Sequence, residues 1–252
     1  MSVKLMDMED CMEWHIKCDP NDIARYVFTP GDQARARKIA DHFDSAKLVT
    51  ESRGYSVFSG DYKGIPMTVC GTGMGGPTVA IAVEELAHMG ADTFIRIGSC
   101  GVFQLWQRTG DVVISSGTVR AGGTANAYLP PVFPAVPSFT VLRALVEAGE
   151  ELDIPAVVGI GIATDAFYAP RGVDHLDDLK KAGLVSIEME SDTLFVLGAY
   201  HEWRTGMVAA SDGDPGVIKP ANKEADFHRG EQNAIKIGLH AMWKIAQADL
   251  KQ

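Results

Sequence analysis

An α/β fold is what this chain predicts: one domain, residues 1–252, built on a mixed and mostly parallel sheet with helices on both faces. Three observations carry the expectation. Apolar runs of strand length alternate with amphipathic stretches of helix length along nearly the whole chain. Several of those runs end in glycine-rich turns that lead directly into a helix, as parallel strands require. At 252 residues and 46% hydrophobic content, the chain can bury one large core.

Taken in order, residues 1–22 are acidic and Met-rich without a period, and read as an N-terminal arm. Ala24–Thr29 is a strand stopped by Pro30-Gly31, after which Asp32 caps a helix through Arg35, Ile39 and Phe43. Strands follow around Lys47–Thr50 and Tyr55–Gly60. The turn Asp61-Tyr62-Lys63-Gly64 leads into strand Ile65–Cys70, which runs into the glycine cluster 71–76. Pro77 suits the first turn of helix Thr78–Met89. Phe94–Ile97 is a buried strand closed by a small-residue turn at Gly98-Ser99-Cys100-Gly101, and Asp111–Thr118 is the next strand. Residues 120–138 form a long irregular connection. Beyond it come helix Ser138–Asp153, strand Ala156–Ala163, helix Val173–Ala182, strand Leu184–Met189, helix Ser191–Glu202 and strand Gly206–Ala210. A polar loop, Ser211–Lys223, precedes a last helix to Leu250.

The formal charge of -10, from 23 Lys+Arg against 33 Asp+Glu, argues against nucleic acid as the main partner. Local arginines can still hold a small anion. Cys11, Cys18, Cys70 and Cys100 form no CxxC pair and no Cys/His metal spacing, so the chain reads as a protein of the reducing cytoplasm. No apolar run approaches the roughly 18 residues of a membrane span, and the N-terminus lacks a signal-peptide pattern.

Four stretches carry chemistry. Arg96 lies inside an apolar strand, which is costly unless an anion or a hydrogen-bonded partner neutralises it. Ser99 and the backbone N–H groups of the turn after it can complete an oxyanion cradle; the alternative is a strand-edge arginine in solvent. Pro30-Gly31-Asp32 sets a strand-to-helix turn whose free N–H groups favour an anion, with Arg35 in the first helical turn. Arg53-Gly54 sits in a turn region nearby in sequence. Glu188-Met189-Glu190 places two carboxylates at i and i+2, on one face, which suits a polyol or simply an acidic strand end. Ser211-Asp212-Gly213-Asp214-Pro215 follows an apolar strand; Asp212 is either a turn former or, if desolvated, a general acid. A dinucleotide site at Gly71-x-Gly73-x-x-Gly76 lacks its closing carboxylate, because Asp92 precedes its strand instead of ending it.

Together these stretches resemble the nucleoside phosphorylase-I family, the hexameric purine nucleoside phosphorylases and uridine phosphorylases. The shared markers are PGDQAR (30–35), GTGMGGPT (71–78), EEL (84–86), RIGSCG (96–101), FPAV (133–136), FYAP (167–170), EMES (188–191) and SDGDP (211–215). The resemblance implies a phosphorylase/hydrolase-like fold and phosphorolysis of a nucleoside, with inorganic phosphate as co-substrate and no metal or organic cofactor. It implies that Gly31, Arg35, Arg53, Arg96 and Ser99 hold phosphate. His15, Met74, Glu188, Met189 and Glu190 contact ribose, and Cys100, Gly101, Phe167, Ser211 and Asp212 surround the base. It also implies a homo-oligomer, a dimer or a hexamer built as a trimer of dimers, in which His15 and Arg53 complete the neighbour's site. The Gln-x-Arg pair that marks uridine phosphorylases after the Phe-Tyr stretch is missing, since Arg171-Gly172-Val173 stands there. The Asp212 turn resembles apicomplexan purine enzymes. An arginine that assists the acid in bacterial purine enzymes is absent, leaving Lys219 or Lys223 for that role. A uridine or methylthioadenosine phosphorylase, and a non-catalytic nucleoside-binding protein, are the alternatives.

Overall fold

The computed structural model describes residues 13–251. The first twelve residues of the expected arm therefore lie outside the described residues. From Glu13 on, the arm is an irregular, bent segment with a 3-10 turn at Pro20–Asp22, whose Asn21 N–H donates to the Asp19 side chain.

Eleven strands and six α-helices follow: β1 (Tyr26–Phe28), α1 (Gln33–Ala40), β2 (Ser45–Ser52), β3 (Tyr55–Tyr62), β4 (Ile65–Gly71), α2 (Gly76–His88), β5 (Thr93–Val102), β6 (Val112–Ala121), α3 (Phe139–Glu151), β7 (Ala156–Thr164), α4 (Leu176–Lys181), β8 (Ser186–Glu188), α5 (Ser191–His201), β9 (Arg204–Ser211), β10 (Gly213–Asp214), β11 (Val217–Ile218) and α6 (Glu224–Asp249). Nine strands form one sheet in the order β2-β3-β4-β1-β5-β8-β7-β6-β9, and β9 also pairs with β5. The pairings β5–β8–β7–β6–β9–β5 thus close on themselves, and β1, β4, β3 and β2 extend outward from β5. Closure removes two sheet edges. Parallel pairing joins β1 to β4 and β5, β5 to β9, and β7 to β6 and β8. Antiparallel pairing joins β3 to β2 and β4, β5 to β8, and β6 to β9.

Strand alternation sorts the core into two layers. Tyr26, Phe28, Ile95 and Ile97 pack with Ala36, Ile39, Leu145, Ile237 and Leu239 under α1, α3 and α6. Val27 and Phe94 pack with Val79, Val83, Leu86, Leu194 and Phe195 under α2 and α5. Helix α5 is buried almost throughout its length, so its sequence carries no polar face. Among the described residues, no helix is long and apolar enough to cross a membrane.

Three expectations are corrected. Gly98–Gly101 is not a turn: β5 continues through these residues to Val102. Their small side chains let the strand run beneath the Arg96 side chain and beside Ile187. The helix expected over 173–182 shrinks to Leu176–Lys181, following His175 in the left-handed region at φ 57°. The loop after β9 holds the short antiparallel pair β10–β11.

Candidate active site

The site forms where β5 changes partners. One edge of β5 pairs with β9 through Cys100. The other pairs with β1 only as far as Ile95, and with β8 only from Gly101. Between them, from Arg96 to Cys100, no strand takes that edge. A crevice at strand carboxyl ends, where the connections diverge, is the usual place for a ligand in such sheets.

Arg96 rises from this stretch and is 4% exposed. Its Nε donates to Glu188 Oε2 at 2.9 Å, and its Nη2 lies 2.5 Å from Glu190 Oε2. Nη1 is buried without a partner. It points toward the loop after β1: a Cβ on Gly31 would stand 3.6 Å from it. Glycine at 98 is required by this packing, since a Cβ there would approach the guanidinium to 2.9–3.0 Å. Burial opposes the Arg96 charge, but Glu190 and Glu188 outweigh it and hold the pKa above its usual value. The solvent-facing alternative for Arg96 is excluded.

The two carboxylates play different parts. Glu188 accepts from Arg96 and from the N–H groups of Glu190 and Ser191, and its other oxygen takes the Ser191 hydroxyl at 2.6 Å. Each of its oxygens takes at least two donors, so it braces Arg96 and the start of α5, whereas each Glu190 oxygen takes a single one. Glu190 is 3% exposed and accepts from the N–H of Gly75, a glycine at φ 99° that turns the loop before α2 toward it. Burial pushes the Glu190 carboxyl up; Arg96 pulls it down, and neighbouring Glu188 raises it again. Met189 is half-buried between the two, whereas Met74 is 77% exposed.

Arg35 enters from the other core layer, in the first turn of α1, below the Asp32 cap that accepts from Ala34 N at 2.9 Å. It too is 4% exposed. Arg53 is exposed at the β2–β3 turn with φ 50°, and Gln33 ties that turn to α1 by donating to the Gly54 carbonyl. Ser99 is half-buried on β5. His15 is held by its own chain: its Nδ1 lies 2.5 Å from Glu85 Oε1, and its N–H and that of Ile16 also donate to Glu85.

Asp212 follows β9, and its N–H donates to the Cys100 carbonyl at 3.0 Å. Burial raises its pKa, while Lys219 and then Arg35 act in the opposite direction. Lys219 Nζ stands 3.6 Å from Asp212 Oδ2, whereas Lys223 pairs with Asp226 at 3.8 Å. Of the two lysines, Lys219 is the one beside the acid. The loop is pinned from below: Thr109 donates through both its N–H and hydroxyl to Asp214 Oδ1, and Gly110 N–H to the Ser211 carbonyl. Cys100, whose thiol burial pushes up, feels Asp212 and Glu188 on one hand and Arg96 and Arg35 on the other. The structure thus joins Arg96, Glu188 and Glu190 directly and sets Asp212 against the same strand at Cys100, with Arg35 close enough to act on the charge of Cys100 and Asp212. Phe167 stands half exposed on the loop after β7, with its ring 4.9 Å from Tyr168. Two surface cavities, of about 420 Å³ beside Asn21 and Lys47 and about 300 Å³ beside Val146 and Ile154, contain none of these residues.

Two groups escaped the reading of the sequence. Glu231 is a buried acid on α6, detectable because it occupies the apolar face with Ala234, Ile235 and Gly238. Asp192 is 1% exposed in the first turn of α5; its Oδ1 accepts from Thr193 N–H, and its Oδ2 has no partner. Burial, with smaller contributions from Glu188 and Asp165, raises its pKa to about 6. The folded chain therefore binds this proton more tightly than the unfolded one. Stability rises as pH falls from about 6 toward the ordinary value of 3.8, and above 6 the ionised carboxylate is a net cost. Asp192→Asn is expected to stabilise the protein at pH 7.5 by about 1–3 kcal/mol, with roughly half of that gain left at pH 5 and none below the ordinary value of 3.8. Its amide would face Asp165, whose Oδ1 approaches the same point at Gly122. Calorimetric melts of both proteins at the two pH values check this.

The fold and the crevice define an α/β protein with a charged site at the carboxyl ends of its strands. The sequence model of the Phosphorylase superfamily matches residues 25–242, and the chain belongs to that superfamily, in its nucleoside phosphorylase family. It is 41% identical over 222 residues to the uridine phosphorylase of Thermococcus kodakarensis, covering 83% of this chain and 80% of that one. It is 36% identical to the guanosine phosphorylase of Halorubrum lacusprofundi, over 90% of this chain and 97% of that one. Other relatives also carry the name uridine phosphorylase. Among solved structures, the purine nucleoside phosphorylase of Toxoplasma gondii in complex with immucillin-H superposes with a TM-score of 0.89, at 30% identity, over 97% of this chain and 99% of that one.

Proposed function

We propose that the protein cleaves purine ribonucleosides with inorganic phosphate, releasing ribose 1-phosphate and the free base. The observation that carries the purine reading is Asp212, a half-buried carboxyl with a raised pKa, whose N–H bonds to the Cys100 carbonyl on the strand that bears Arg96. As the C1′–N9 bond breaks, positive charge develops on the ribose and negative charge on the leaving base. Phosphate held by Arg35, Arg96 and Ser99, near Gly31, stabilises the first. Protonation of the base by Asp212 relieves the second. Glu190 accepts ribose hydroxyl hydrogens and fixes C1′ against phosphate, a positioning effect. His15 and the exposed Arg53 act on a neighbouring subunit's site, in a homo-oligomer of the hexameric type, and the reaction takes place in the cytoplasm without metal or organic cofactor.

Uridine phosphorolysis is the second reading, favoured by the names of the relatives. The missing Gln-x-Arg pair after Phe167-Tyr168 counts against it. The two separate in one assay of inosine, guanosine, adenosine and uridine with and without phosphate. Inosine or guanosine is expected to turn over at least tenfold faster than uridine, and only with phosphate. Faster uridine cleavage would replace the purine reading, and phosphate-independent turnover would remove both.

A further inference from the structure

Arg35 is gripped by a residue from the far end of the chain. Glu231, on α6 and 2% exposed, accepts from Arg35 Nε at 2.8 Å through Oε1 and from Lys38 Nζ at 2.6 Å through Oε2. His228 Nδ1 stands 3.7 Å from the same Oε2. Burial alone would raise the Glu231 carboxyl, but the hydrogen bonds from Lys38 and Arg35 prevail and hold it below the usual range. A guanidinium is a rigid planar fork, so fixing Nε fixes the plane and the direction of both terminal nitrogens. Arg96 is treated the same way: its Nε is held by buried Glu188, and its unpartnered Nη1 faces Gly31. Each arginine is therefore anchored on its Nε by a buried carboxylate from another element.

We propose that Glu231 is a positioning residue for the oxyanion: it holds the Arg35 fork in the orientation that binds phosphate, without touching phosphate itself. This rests on the phosphorolysis reading above. Lys38 balances the second oxygen of Glu231 and is not required for the orientation. Preorganising a donor in this way acts on the affinity for the anion and leaves the nucleoside end of the site alone.

The test compares the wild type with Glu231→Gln, Glu231→Asp and Lys38→Met, measuring KM for phosphate, KM for nucleoside and inorganic phosphate binding by calorimetry. Glu231→Gln is expected to raise the phosphate KM and Kd by about 10–50-fold, while the nucleoside KM stays within threefold. Glu231→Asp, which keeps the charge but shortens the reach, is expected to fall between, and Lys38→Met to stay within threefold of wild type for phosphate. Folding is checked by circular dichroism, and Glu231→Asp serves if Glu231→Gln does not fold. A folded Glu231 variant with wild-type phosphate affinity would overturn the proposal, as would equal losses at both substrates. If wild type itself neither binds nor needs phosphate, the phosphorolysis reading falls and this inference with it.

Discussion

Arg96→Gln is expected to reduce phosphorolysis by at least 10²–10³-fold, the usual effect of removing a preorganised donor from a developing charge. The loss has two sources that can be measured apart. Phosphate loses the unpartnered Nη1 beside Gly31, which appears as weaker phosphate binding. Glu188 and Glu190 lose the cation between them, and breaking a buried pair by deleting one partner costs about 3–5 kcal/mol of stability. Glu190, already pushed up by burial, then takes a proton more readily because Arg96 no longer opposes it. Arg96→Lys is the control: it keeps a charge but cannot span Glu188, Glu190 and the Gly31 loop at once. Steady-state kinetics against phosphate, together with thermal unfolding, check both consequences. Wild-type phosphate kinetics in either variant would remove Arg96 from the anion site.

Asp212→Asn is expected to lower kcat for the preferred purine nucleoside by about 10²–10⁴-fold, as general acids commonly contribute. The phosphate KM is expected to change little, since Arg35 and Arg96 are paired with Glu231 and with Glu188 and Glu190, not with Asp212. The pH profile adds a second reading. With Asp212 as the acid, activity is expected to fall on the alkaline side as its proton is lost, and burial moves that limb above the ordinary carboxyl range. Removing the opposing charge by Lys219→Met moves it higher still. Unchanged inosine turnover in Asp212→Asn would take the acid role from this residue, and an equal response of uridine and inosine would remove its part in choosing the base.

Most strands and helices were legible because each rule involved is local. Pro30-Gly31 stops β1, Asp32 caps α1, and the glycine cluster after β4 opens α2, all within a few residues. Arg96 was legible for a related reason: a charge inside an apolar strand demands a partner, wherever the partner comes from. The turn at Gly98–Gly101 was misread because small residues mark both turns and strands beneath a bulky neighbour. Here the neighbour is the Arg96 side chain itself, two residues back on the same face.

The one-dimensional pattern determined the alternating architecture, the polar chemistry at strand ends and the identity of the charged groups, because periodicity, capping and turn preference act over a few residues. Tertiary structure alone decided who meets whom. It closed β5 through β9 into a ring and left one edge of β5 open between Ile95 and Gly101. It set both Glu188 and Glu190 against Arg96 while crowding only Glu188 with further donors, brought Glu231 across nearly two hundred residues to Arg35, and chose Lys219 over Lys223 for Asp212. Those pairings depend on burial and on the convergence of distant segments, and a buried charge takes whichever partner the packing delivers.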